Sequence, residues 1–188
     1  EGARVAPAEA QRVLVAIARR SLPAVAARAL GLLAEPWAHD LPCPALDAWE
    51  EGQEVAVAAV RLAAARGEVT WLRRAVWSDA GLTARREAIA ALGALGGAED
   101  VSALVAAAEE APAALGPEIV EALRGLKRRG ISGDEADARA VLAMALGCAS
   151  VPIDAAAESV SSRADALVPA IDEHLAAEAS NGAVSNAG

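Results

Sequence analysis

Apolar residues recur along this chain at helical spacing, not at strand spacing. Val57, Val60 and Ala63 fall at i, i+3 and i+6, which keeps them on one side of a helix. The same triplet returns as Ile89, Leu92 and Leu95, and again, at almost the same interval, as Val120, Leu123 and Leu126. A second column keeps pace with it. Glu68, Val69, Leu72 and Val76 map by the first of these shifts onto Asp100, Val101, Leu104 and Ala108. Each unit therefore predicts two helices, A and B. At one larger, constant offset, Leu22, Val25 and Ala29 precede Val69, Leu72 and Val76, and Val13 precedes Val60. The excess over the regular period is supplied by a Pro-rich segment at 35–46, Glu-Pro-Trp-Ala-His-Asp-Leu-Pro-Cys-Pro-Ala-Leu.

Punctuation fits these helices. Ser21 is an expected N-cap with Pro23 in the first turn, and Thr83 is the expected N-cap of the third A helix. Gly67 and Gly96-Gly97 separate A from B in the second and third units. Gly116-Pro117 reads as the opening of the fourth A helix, and Ser132-Gly-Asp-Glu135 as a capping box. The predicted helices cover 8–20, 22–34, 47–66, 68–78, 83–96, 99–110, 117–129 and 133–146. A last helix is expected over 154–178, broken near Pro169, with a polar, disordered tail at 179–188. Paired helices at a period of about 31–32 residues predict an all-α fold, an α-α superhelix built as a right-handed solenoid. Its units are 7–34, 47–78, 83–110 and 116–146, with an insertion at 35–46, an array ending near 150, and a C-terminal helical segment at 151–178.

Composition strengthens the helical reading. Of 188 residues, 53 are Ala, while Phe and Tyr are absent. Strands draw on β-branched and aromatic side chains, whereas Ala is the strongest helix former. Net charge is −9, a poor match for nucleic acid or anionic membrane, so neither is an expected partner. Residues 101–188 carry −7 of it, six bases against 13 acids. Lys127 is the only lysine among 17 basic residues, which with the Ala content reads as a GC-rich coding bias. Cys43 and Cys148 stand far apart with no CxxC, so no disulfide framework is indicated. No apolar run reaches the ~18–20 residues that span a bilayer. The expected location is the cytoplasm. The chain opens on Glu1, and a mature form, a trimmed chain or a fragment all stay open.

One stretch also has a familiar wording. Thr83-Ala-Arg-Arg-Glu-Ala-Ile-Ala-Ala-Leu-Gly-Ala-Leu-Gly-Gly-Ala-Glu-Asp-Val-Ser-Ala-Leu resembles a HEAT-type repeat. More narrowly, it resembles the short bacterial HEAT-like repeats also found in phycobilin lyases. The match is good over 83–110, loose over 50–78 and 116–146, and weak over 7–34. The resemblance implies about four stacked helical hairpins and a partner-binding concave face lined by B helices. It maps no chromophore-handling residue onto this chain. HEAT-like deoxyhypusine hydroxylases hold iron through His-Glu dipeptides, and none occurs here.

Candidate chemistry is sparse. His39-Asp40-x-x-Cys43 offers three potential ligands in the insertion, where a structural zinc site wants four. The competing reading is a loop whose Trp37 and prolines pack on the first two units. No cofactor is expected. Trp71, Arg73, Arg74 and Trp77 cluster on the predicted B helix 68–78. With Val69, Leu72 and Val76 as its buried stripe, Arg73, Arg74 and Trp77 fall off that stripe, and Arg and Trp are favoured in binding hot spots. Alternatively, Trp71 and Trp77 fill gaps between Ala-rich helices while the arginines are solvated. The expected function is a non-catalytic scaffold that binds another protein through Arg73, Arg74, Trp77 and Trp37. The alternative is an accessory factor or enzyme of the HEAT-like lyase type, or a metal site in 35–46.

Overall fold

Proline and glycine mark most helix boundaries. The computed structural model describes residues 6–44, 52–79 and 81–160, and these residues form helices and no strand. In chain order the helices are α1 (Pro7–Arg20), α2 (Pro23–Leu33), α3 (Gln53–Arg66), α4 (Val69–Val76), α5 (Leu82–Leu95), α6 (Glu99–Glu110), α7 (Pro112–Arg128), α8 (Glu135–Gly147) and α9 (Ile153–Val160), with a 3₁₀ turn at Pro36–Ala38. Pro7, Pro23 and Pro112 each open a helix, where a missing N–H leaves no intrahelical bond unmade.

Several predicted boundaries move. Helix α3 begins at Gln53 and not at 47, because Gly52 stands at φ +88°, outside the helical region. Residues 45–51 lie outside the described residues. Ser21 ends α1, and the N-cap of α2 is Leu22 with no side-chain bond. Thr83 lies inside the first turn of α5, not before it. Pro117 does not open α7 but sits within it, more than a turn beyond Pro112. The capping box of α8 exists two residues later than expected: the Asp134 carboxylate accepts from the Asp137 N–H, and Asp137 reaches back to the Asp134 N–H.

The chain divides into two compact units, Glu1–Leu95 and Gly96–Gly188. In the first, α2 packs on α1 and α3, and α3 packs on α5 and α4. The Arg66 guanidinium, at the end of α3, donates to the carbonyl of Leu33, at the end of α2, over 3.1 Å. Two C-termini therefore meet, the opposite of a hairpin. At the other end, Gln53 Nε2 donates to Thr83 Oγ1 over 2.8 Å, so the starts of α3 and α5 meet as well. Helix α2 thus takes the sense of the A helices α3 and α5, although its sequence column matched a B helix. Arg66 also donates to Leu41 O at 3.0 Å, and Gln11 Nε2 to Pro42 O, fastening the segment after α2 to α3 and α1.

In the second unit α6 packs on α7 and α8, and α9 packs on α7 and α8. Ser102 Oγ donates to Asp137 Oδ2 over 3.2 Å, which joins the starts of α6 and α8. Near the end of α7, Lys127 Nζ donates to Glu158 O over 2.7 Å, and Arg124 pairs with the Glu158 carboxylate. Helix α9 thus packs on α7 and α8 and buries Ala156. The predicted remainder of that helix, 161–178, and the tail at 179–188 lie outside the described residues.

The recurring columns are largely core. Val60, Ala63, Ile89, Leu92, Val120, Leu123 and Leu126 are buried, as are Leu72, Val76, Val101, Leu104 and Ala108. Val57 and Val69 are half-buried, and Leu95, Val13, Leu22 and Val25 are exposed.

Two helix ends repeat as well. Gly67 at φ +68° and Gly130 at φ +81° close α3 and α7 in the same way. The N–H of Glu68 bonds Ala63 O and that of Gly67 bonds Ala64 O, while Ile131 bonds Leu126 O and Gly130 bonds Lys127 O. This is the Schellman pattern, which a left-handed residue permits. The arginine before each glycine then holds a carbonyl far upstream, at the same separation in both: Arg66 that of Leu33 and Arg129 that of Gly96.

Candidate functional site

Helix α4 carries the predicted surface. Trp71, Leu72, Ala75 and Val76 are buried, a wider stripe than Val69, Leu72 and Val76 alone. Trp71 is therefore core, with 7% of its surface exposed. Thr70, Arg74 and Trp77 are exposed at helical spacing, so they form the outward face. Trp77 keeps 46% of its surface in solvent, well above the share expected of a gap-filler. Arg73 is half-buried on the flank. Both arginines stand in the last turn of α4, where cations also complement the helix dipole. Trp37 lies elsewhere, in the 3₁₀ turn that packs on α1, with 40% exposure. Helix α4 packs on α5 and α3.

The insertion is arranged around its backbone. His39 Nε2 lies 3.1 Å from Ala34 O, which orients the ring toward the end of α2. Among the described residues no three His, Cys, Asp or Glu side chains converge as metal ligands would. Burial, and then the nearby Glu68 carboxylate, push the Cys43 thiol up, with Arg66 opposing them. Cys148 behaves oppositely. It shares a 3.0 Å hydrogen bond with the Ser150 hydroxyl, and this contact, with the Ser150 N–H, lowers its thiol.

A feature absent from the sequence reading lies between α2 and α3. A groove of about 450 Å³ is floored by Ala27 and Gly31 of α2 and by Val57 and Ala58 of α3. Gln53, Glu54 and Arg61 of α3, with Thr83 of α5, form one rim. Arg61 is engaged there by Glu87, with Nε donating to Oε2 at 3.2 Å and Nη2 bonded to Oε1. A Cβ added at Gly31 would meet nothing within 4 Å. The sequence signal was Gly31 itself: a glycine inside a helix costs about 0.5–1 kcal/mol relative to Ala, and no turn asks for one there. In comparison with known proteins, no family model, no curated protein and no solved structure matches this chain.

Proposed function

We propose that the chain is a HEAT-like helical scaffold, a right-handed solenoid of about four hairpins, that binds another protein through its B helices. The observation that supports the reading is the outward face of α4. Its buried side is complete, yet the opposite side presents Arg74 and a Trp77 that is 46% exposed. A large aromatic left in water beside a guanidinium contributes little to folding and much to an interface. Arg73 flanks this face, and Trp37, on the separate 3₁₀ turn that packs on α1, is a second contact point of the proposal. The scaffold operates in the cytoplasm and requires no cofactor.

The test is site-specific photo-crosslinking. A photoreactive residue at position 74 and one at position 77 should trap the same discrete protein adduct. Arg73→Glu with Arg74→Glu should reduce the yield from position 77 by about tenfold, as loss of a hot-spot cation does. Different adducts from the two positions, or a yield unaffected by the double charge reversal, would remove α4 as the binding face.

A further inference from the structure

We draw no further inference here: the strongest candidate, the exposed apolar surface of the first two helices at Val13 of α1 and Val25 and Leu32 of α2, is an unpartnered face, and nothing in the structure shows what covers it.

Discussion

At the end of α3 the guanidinium of Arg66 takes the carbonyls of Leu33 and Leu41, while at the end of α7 that of Arg129 takes the carbonyl of Gly96. Both arginines precede a left-handed glycine, and both glycines close a Schellman turn on the last residue of a recurring triplet, Ala63 or Leu126. The terminus is therefore one device used in both compact units. Its surroundings differ in two respects. The first unit carries an inserted connection that Arg66 must hold, and the triplet of α3 ends in alanine where that of α7 ends in leucine. A small residue in the same column means that the first unit fills the space from elsewhere, for Ala63 is itself fully buried.

That contrast can be broken at its core position first. Leu126→Ala should destabilise the chain by about 3 kcal/mol, a transfer loss plus a cavity. The reverse change, Ala63→Leu, should also destabilise, by about 1–3 kcal/mol from overpacking. Urea unfolding measures both. A stabilised Ala63→Leu chain would mean that the first unit leaves a hole where the second has a side chain, and the two columns would then not be packed to the same density. The second test is at the arginines. Arg66→Met keeps the apolar stem but removes bonds to two carbonyls, a loss of about 2 kcal/mol for charged hydrogen bonds that are partly buried. The cost is tempered because Arg66 Nε is buried without a partner. Arg66→Met should open residues 34–44 to limited proteolysis, while Arg129→Met should leave that segment protected. Equal cleavage in the two variants would show that Gln11 and the local turns, not Arg66, fasten the connection.

At the glycines the two ends should behave alike. Gly67 and Gly130 have nothing within 4 Å of an added Cβ, so the cost of Ala at either is a backbone cost alone. Each substitution should destabilise by about 1 kcal/mol, the penalty of a Cβ in the left-handed region. Agreement between the two to within about 0.5 kcal/mol in urea midpoints supports a shared device. A clear difference would mean that one end is held by its arginine and the other by its turn.

Much of this architecture was legible as periodicity. The triplets, the Gly67 stop and the existence of each described helix follow from i, i+3 spacing and from glycine's conformational freedom. The Arg-Gly pairs at 66–67 and 129–130 were also visible, two repeat periods apart, and only their bonding had to be seen. Three features were not legible. Pro117 looked like a helix start because Gly-Pro usually is one, yet Pro112 and the alanines after it begin the helix a turn earlier. The sense of α2 was hidden because a column of apolar residues has no direction; the bond from Arg66 to the Leu33 carbonyl reveals it. The burial of Trp71 was hidden, because a stripe of Val69, Leu72 and Val76 leaves its side undecided, whereas Trp77 is exposed as its place off that stripe predicts. The proposed binding set also divides between α4 and the 3₁₀ turn at Trp37, two elements that sequence proximity to the insertion had grouped together.

The smallest expected effect is also the most discriminating, because it has the opposite sign. Gly31 lies in the interior of α2 with helical backbone, unlike Gly67 and Gly130, and open space surrounds the position of its missing Cβ. Ala there loses nothing sterically, restricts the unfolded chain and improves helix propensity, so Gly31→Ala should stabilise by about 0.5–1 kcal/mol. A rise in the urea midpoint at unchanged slope is the measure. One residue type would then be required by the fold at two helix ends and be a burden to it in the middle of a third helix. A destabilised Gly31→Ala chain would instead mean that α2 and α3 approach more closely than the groove allows, and the groove would be a packing contact.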